Sequence, residues 1–306
     1  MPKLNTLVKV FKKPKKVVRI LGDKGILNWV PDKIYLKLVF WAETNKKLNL
    51  ERPQYFNEKL QWLKLYNRRS EYSTYSDKYA VRSYIKDNIG KEYLIPLIEV
   101  YKSVEEIDWD LLPNSFVLKC THGSGANIIC PDKSNLNIKE AKKKIKKWMK
   151  KNWYYFGREW PYMSISPKII CEKYMTENNN QQRLTDYKFY CFNGLPMYCQ
   201  VIRNRGKNET IDFYDREWNH MTFNGLRNLP QSKNNHGKPK EYEKMIGLAQ
   251  KLAKDFPFVR VDLYYISGNI YIGELTFFPT SGFGKFYPEE WNKIIGDLLI
   301  LPKNKI

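Results

Sequence analysis

Two acids stand in the middle of otherwise apolar runs: Asp262 in PheValArgValAspLeuTyrTyr (258–265) and Glu274 in IleTyrIleGlyGluLeuThrPhe (270–277). A carboxylate inside an apolar strand is costly unless it is paired or bound to a cation. SerGlyAsn at 267–269 turns the chain, and a hairpin centred on Gly268 sets the two acids nearly opposite each other, on one face and about 5 Å apart. Like charges that close repel unless a cation lies between them. A hard divalent ion with oxygen ligands resolves the repulsion, and magnesium carrying phosphates is the usual solution. The alternative is that each acid pairs with a neighbouring base such as Arg260.

A second group suits phosphate. Lys119 ends the apolar run PheValLeuLysCys and enters ThrHisGlySerGlyAlaAsn (121–127). Gly123 and Gly125, with Ser124 between them, let backbone N–H groups approach phosphate oxygens while the lysine supplies charge. This is not a P-loop, because no Gly-Lys-Ser/Thr and no helix follow it. Cys171-Glu172-Lys173-Tyr174-Met175 ends another strand with an acid and an aromatic residue, fitting either a nucleotide-base hinge or an exposed edge. Arg203 and Arg205, in ArgAsnArgGly, are candidates to grip an anionic acceptor such as a uronic acid; a solvated basic loop is the other reading. Lys78 and Lys188 are, taken alone, indistinguishable from surface lysines.

The elements that must position these groups change character along the chain. Residues 1 to about 70 read as helical and basic, and PheAsnGluLysLeuGlnTrpLeuLysLeuTyr (56–66) brings Leu60, Trp62 and Leu63 near one face. The apolar stretch from Ile34 to Ala42 reads as a buried helix or strand. Ser76 stands before a helix with Asp77 in its first turn, a cap and a dipole partner. From about 94 short apolar runs alternate with turns: a strand at 94–100, a hairpin over 113–130, then a basic helix. Strands follow at 168–175, 186–194 and 195–202, with AsnGly at 193–194 as a hairpin turn. A helix at 240–254, the carboxylate hairpin and a helix at 288–300 complete the pattern. Helices mixed with hairpins make an α+β fold with antiparallel sheets.

Composition bounds the function. The chain has 306 residues, 42% of them hydrophobic and 15% aromatic, enough to build a packed core. No stretch approaches the roughly 20 apolar residues of a membrane span, and Met1 to Arg19 lacks the apolar core of a secretory signal. The five cysteines (Cys120, Cys130, Cys171, Cys191, Cys199) have no metal or redox spacing and read as reduced core residues of a cytoplasmic protein. The three histidines are scattered, against a histidine-based metal site. Lys plus Arg number 53 against 32 Asp plus Glu, a formal charge of +21 that attracts polyanions. The charge gathers in the arm carrying Lys9, Lys12, Lys13, Lys15, Lys16 and Arg19, and over Lys139 to Lys151. There Ala141, Ile145, Trp148 and Met149 recur at helical spacing, fitting a helix packed on the core or one lying on a membrane surface.

The order of these motifs resembles the ATP-grasp superfamily, specifically its TupA-like branch, associated with teichuronopeptide and other bacterial surface polysaccharide biosynthesis. The resemblance runs from about Phe56 to Pro302, and adds SerAspLysTyrAlaValArg and AspTyrLysPheTyrCysPheAsnGly to the motifs above. It implies two lobes with antiparallel sheets clasping ATP, behind a basic helical region at 1–75. The first lobe would cover 76–167 and the second 168–306. By resemblance, Lys78 and Lys119 hold phosphates beneath the Gly-Ser-Gly flap, while Glu172, Lys173 and Tyr174 line the adenine pocket. Lys188 reaches the nucleotide or its transferred phosphate, Arg260 steadies the transferring phosphoryl group, and Asp262, Glu274 and Thr276 face magnesium. Thr276 stands where many ATP-grasp enzymes carry Asn, and a hydroxyl is a poorer metal ligand than an amide oxygen. The implied reaction is phosphorylation of a carboxylate by ATP, followed by attack of an amine on the acyl phosphate. The implied partners are an anionic saccharide or uronic acid acceptor and an amino acid or other amine, with a possible site of work at the inner face of the bacterial membrane.

Two other classes compete. A glycosyltransferase using a nucleotide sugar also needs paired carboxylates and a metal, although the Lys119 loop and the late position of the hairpin argue against it. A nucleic-acid binder is suggested only by the charge, and no zinc-finger, RNA-recognition or helix-turn-helix signal accompanies it.

Overall fold

The computed structural model describes residues 14–305, apart from 24, 178–183, 207 and 235. The basic arm at Lys9, Lys12 and Lys13 lies outside the described residues. Helix α1 (Pro14–Asp23) leads into α2 (Asp32–Thr44), where Tyr35, Leu36, Val39 and Phe40 are buried while Ile34 and Leu38 stay exposed. The apolar run at 34–42 is therefore a one-sided helix rather than a fully buried element. Helix α3 (Phe56–Tyr66) is enclosed almost all round: Phe56, Leu60, Trp62 and Leu63 are buried, and so are Asn57, Glu58, Gln61 and Lys64. The apolar periodicity finds only half of this. The polar half is tolerated because its donors reach main-chain carbonyls of irregular segments. Asn57 Nδ2 donates to the Gly284 carbonyl at 2.9 Å and Gln61 Nε2 to that of Gly282 at 2.9 Å.

Helix α4 (Glu71–Ser76) ends at Ser76, which therefore does not cap the next helix as its hydroxyl suggested. Asp77 does that work: its Oδ1 accepts the N–H of Tyr79 at 2.8 Å and of Ala80 at 3.2 Å ahead of α5 (Val81–Ile89). A carboxylate holds two N–H groups at that turn more strongly than a hydroxyl.

Strands β1 (Leu97–Tyr101), β2 (Phe116–Cys120), β3 (Asn127–Cys130) and β4 (Ile169–Lys173) form one antiparallel sheet in the order β1-β4-β2-β3. Period-2 alternation sends Phe116, Leu118, Cys120, Ile169 and Cys171 into a core shared with Ala141 and Ile145 of helix α6 (Ile138–Met149). The lysine-rich helix thus has its apolar stripe on the core. Lys119 and Glu172 emerge on the opposite face of the sheet.

After the short helix α7 (Tyr154–Gly157) come β5 (Asp186–Phe192), β6 (Leu195–Arg203), β7 (Thr210–Tyr214), β8 (Asn224–Gly225), helix α8 (Tyr242–Ala253), β9 (Phe258–Ile266), β10 (Asn269–Thr276), β11 (Phe286–Tyr287) and helix α9 (Trp291–Leu298). A second antiparallel sheet runs β10-β9-β5-β6-β7, and β8 pairs with β11. One face of this sheet packs on α8, with Phe189 and Tyr242 rings 5.7 Å apart. On the other face α3 covers one end, where Phe56 meets Phe192, Phe258 and Phe286 at 5.9, 5.0 and 6.0 Å. The rest of that face looks across at Lys119.

The AsnGly turn is as read, with Asn193 at φ 49° and Gly194 at φ 85° between β5 and β6. β7, β8 and β11 were not legible, being short or lacking clean alternation. All five cysteines are free and buried. Among the described residues no helix is long and apolar enough to cross a membrane.

Phe56 ties the first helices to the second sheet through three rings. Phe56→Ala is expected to cost about 3–5 kcal/mol, as truncation of a buried aromatic does, read as a lower urea midpoint with an unchanged slope.

Candidate functional site

The turn joining β9 to β10 contains two residues, Ser267 (φ 48°) and Gly268 (φ 84°), with Asn269 already paired to Ile266. The three-residue turn read from SerGlyAsn is thus corrected. A two-residue turn alone would place Glu274 opposite Val261 and turn it into the α8 core beside Ile272. A bulge at Gly273 shifts the ladder by one, so that Ile272 pairs with Leu263 and Glu274 with Asp262. The two acids do share one face, but the bulge is what brings them there. A side chain at Gly273 would crowd Tyr264, whose ring lies 3.0 Å from the Cβ position.

Neighbouring cations hold these acids. Arg260 donates from Nε to Asp262 Oδ1 at 2.6 Å and from Nη2 to Oδ2 at 2.7 Å. Lys188, directly opposite on β5, makes a very short bond to Asp262 Oδ2 and sits 3.4 Å from Asp186. Arg260 Nη2 also reaches the Thr276 hydroxyl at 3.1 Å and Glu274 at 3.4 Å. Pairing of Asp262 with Arg260, the bland alternative, is therefore present. Glu274 is less engaged: Lys78 stands 3.8 Å from its Oε2, and a third of its side chain is exposed (34%).

The first sheet supplies the other wall. Cys120 N–H bonds the Ala126 carbonyl at 2.9 Å, closing the Gly-Ser-Gly loop at the end of β2. Lys78 donates to the Gly123 carbonyl at 2.5 Å. Gly123 packs so tightly under Trp153 that a Cβ would meet the indole at 2.4 Å, and Gly125 has φ +72°. Each glycine is thus required, one by space and one by backbone. Lys119 pairs with Glu172 at 2.7 Å, and Glu172 with Arg82 at 3.1 Å.

Between the two walls lies a cavity of about 310 Å³, lined by Lys78, Lys119, Lys188, Arg205, Arg227 and Arg260 against only Asp186, Asp262 and Glu274. Six cations around three acids leave a surplus that suits a polyanion. A chamber of about 580 Å³ adjoins it and shares Ser124, Leu226, Arg227, Arg260, Glu274 and Thr280.

Other candidates fall elsewhere. Glu172, Lys173 and Tyr174 line neither cavity. Glu172 is buried in its ion pairs, the Lys173 side chain is exposed and Tyr174 begins the connection to β5. Arg203 is a correction. It bonds Asp212 at 3.1 Å on the α8 side of the sheet, because odd-numbered residues of β6 face away from the cleft. Arg205, beyond the strand end, escapes that alternation and reaches Asp186 at 2.6 Å. The structure adds Asp186, Arg82 and Arg227. Asp186 was findable, two residues before Lys188 on one strand face. Arg82 closes the SerAspLysTyrAlaValArg motif, where only Lys78 was singled out, and Arg227 carried no signal, being a charge in a polar segment.

Burial alone would raise the Glu274 carboxyl, but Lys78, Lys188, Arg260 and Lys119 outweigh it and hold the group at about 2, against an ordinary 4.5. A depressed carboxylate contributes stability above its unfolded value, lost as pH falls through the folded one. Glu274→Gln is therefore expected to flatten the loss of stability between pH 4.5 and 2.5, followed by urea unfolding. An equal slope in both proteins would show that the four cations do not act on this group.

The family profile described as TupA-like ATPgrasp matches residues 58–300. No curated protein matches the chain. Among solved structures, it is similar to D-alanine–D-alanine ligase from Bacillus anthracis complexed with ATP (16% identity, TM-score 0.38, covering 66% of this chain and 53% of that one). It is also similar to the Helicobacter pylori D-alanine–D-alanine ligase (15%, 0.39, 74% and 61%) and to L-amino acid ligase from Bacillus licheniformis (10%, 0.42, 86% and 55%). The chain thus spans little more than half of these proteins, and at such scores the assignment rests on the family profile. That profile takes in both sheets, the glycine loop and the carboxylate hairpin, and the chain belongs to the TupA-like ATP-grasp family.

Proposed function

We propose that the chain is an ATP- and magnesium-dependent ligase, which phosphorylates a substrate carboxylate and joins it to an amine. One observation carries this reading: a lysine-bearing glycine loop and a carboxylate pair on separate sheets face each other across one cation-rich cavity. Lys78, Lys119 and Lys188 would meet the phosphates, and Arg260 the transferring phosphoryl group. These charges are positioned before the reaction, so neutralising the transferred phosphoryl needs no reorganisation.

The donors fit magnesium in its usual protein setting. Among the described residues no three His, Cys, Asp or Glu side chains gather. Magnesium, however, is commonly held by one or two carboxylates with phosphate oxygens and water completing the shell. Glu274 is the accessible carboxylate and Thr276 Oγ1 lies 3.4 Å from it. A metal at Asp262 would take the place of Lys188 or Arg260, and the displaced cation would meet phosphate. When bound, magnesium would neutralise phosphate charge. Glu172, Lys173 and Tyr174 remain the proposed adenine edge, by backbone rather than side chain for Lys173, whose side chain is exposed.

For the acceptor we propose an anionic saccharide or uronic acid, as in a bacterial capsule, teichuronic acid or O-antigen precursor, met by Arg205 and Arg227, with an amino acid or other amine as second substrate. A cytoplasmic setting follows from ATP use, and work at the inner membrane face is consistent with the +21 charge. The competing reading is a glycosyltransferase using a nucleotide sugar.

ADP release is to be followed with glucuronate, galacturonate and UDP-glucuronate against glycine, L-lysine, L-glutamate and glucosamine. Release is expected to require magnesium and a carboxylate, and to fall at least 100-fold in Asp262→Asn/Glu274→Gln; equal release by both proteins sinks the ligase. In thermal shift, a non-hydrolysable ATP analogue with magnesium is expected to stabilise the protein more than UDP-sugars do. The reverse order favours the glycosyltransferase.

A further inference from the structure

The 580 Å³ chamber beside the phosphate site has a chemistry of its own. Its walls include the aromatic rings of Tyr35 from α2, Trp153 and Phe156 from the α7 region, and Phe278 and Phe283 beyond β10. Helix α2 lies before residue 58, outside the family match, so part of this wall belongs to the N-terminal helices. Tyr35 donates its hydroxyl to the Phe156 carbonyl at 3.3 Å, tying the two walls together. Whereas the phosphate cavity carries a surplus of cations, the chamber adds Glu43 and Glu159 against Lys285 alone.

Glu159 is held with unusual care. The Ser281 hydroxyl makes a very short hydrogen bond to its Oε1. Ser281 and the preceding Thr280 both occupy the left-handed region, at φ 52° and 50°, each at a cost of roughly 1–2 kcal/mol. Such strain persists only where surrounding contacts enforce it. Here they do: Lys64, wholly buried on α3, donates to the Gly157 carbonyl at 2.6 Å and the Ser281 carbonyl at 2.7 Å. Gly157 has no space for a side chain, since a Cβ would sit 2.3 Å from Ser281 Oγ. Two irregular segments are thus pinned together around one carboxylate that faces the chamber.

The groups acting on Glu159 are Lys64 from α3, Glu274 and Arg260 from the hairpin, and Ser281. Tyr162 lies in the same field, on Glu159's own segment. Burial raises the Glu159 carboxyl and pushes Lys64 down to about 7. A desolvated carboxylate is a better base than an exposed one. An ammonium group is repelled by the phosphate cavity and attracted by aromatic faces and carboxylates. As an ammonium it cannot attack a carbonyl carbon.

We propose that this chamber binds the amine substrate as its ammonium ion and that Glu159 is the general base of amide formation. The proposal rests on the ligase reading above. The ammonium gives one proton to the Glu159 carboxylate. The freed nitrogen lone pair forms the C–N bond at the acyl phosphate carbonyl, and the C–O bond to the phosphoryl group breaks. Inorganic phosphate leaves with that electron pair and takes the second proton from nitrogen. Glu159 then returns its proton to water.

Hydroxylamine separates the steps, because it is uncharged at pH 7 and traps an acyl phosphate as a hydroxamate without a base. In Glu159→Gln the ratio of amide (from glycine, L-lysine, L-glutamate or glucosamine) to hydroxamate is expected to fall about 100-fold or more at pH 7. It should recover towards pH 9 as the amine deprotonates in solution. Ser281→Ala, which keeps the carboxylate, should lower the ratio less. An unchanged ratio, or an equal and pH-independent loss of both products, overturns the proposal. A binding arm needs no turnover: calorimetric affinity for the same amines, without nucleotide, should fall at least tenfold in Glu159→Gln and in Phe156→Ala. Amine binding that ignores Glu159, or no amine binding to wild type, overturns the proposed chamber. If amines bind through Glu159 but wild type forms no hydroxamate from any carboxylate, the ligase reading fails while the chamber stands.

Discussion

The site depends on one extra residue in one strand. A β-ladder has a side-chain period of two, so every position downstream of the Ser267-Gly268 turn has its face assigned by the turn. Ile272 belongs to the core and Glu274 to the cleft, and a regular strand cannot deliver both, since residues two apart share a face. The bulge at Gly273 breaks the period between them. It lets the hairpin keep a buried apolar side against α8 while setting a carboxylate opposite Asp262. Glycine suits the place because Tyr264 leaves little space beside it.

Once the acids face the cleft, electrostatics decides what the cleft can hold. Asp262 is held by Arg260 and Lys188, so those three groups form a base whose net charge is positive. Glu274 sits at the edge of that base with a partly exposed side chain. Lys78, from the turn before α5, and Lys119, from the opposite sheet, close over it, one pinned to the glycine loop and the other to Glu172. Glu172 is thus the counter-charge that holds Lys119 in place. Paired charges taken from water give little net stability, so a cluster of this size is better understood as stored complementarity for a polyanion than as a brace for the fold.

Sequence pattern reached the elements whose signal is local. The apolar runs of β2, β5, β6, β9 and β10 and the AsnGly turn are readable because period-2 alternation and φ > 0 requirements are properties of a few adjacent residues. The opposition of Asp262 and Glu274 was also legible, although through a turn one residue too long and without the bulge that compensates for it. Arg203 shows the converse. Charge and loop composition recommended it, but strand parity, set by where β6 ends, turned it towards Asp212. Ser76 failed for a similar reason, since it closes α4 and the carboxylate of Asp77, four residues before α5, takes the N–H groups of the intervening turn. Gln61, Lys64, Glu159 and Ser281 gave no signal at all, because their partners are main-chain carbonyls or residues more than a hundred positions away.

That last group shows how an irregular segment acquires a fixed shape. The stretch from Phe278 to Gly284 has almost no ladder of its own and holds two consecutive left-handed residues, which a free loop would relax. It is held by donors from a helix distant in sequence: Asn57, Gln61 and Lys64 of α3 each take a carbonyl from it. These three residues recur at helical spacing, so one face of α3 reads the backbone of the segment as another strand would. The polar residues inside α3 are therefore a template rather than a flaw in its apolar face. They transmit the rigidity of the α3 core, through Ser281, to a carboxylate beside the phosphate site. The second cavity then inherits its shape from the hydrophobic core instead of from loop sequence.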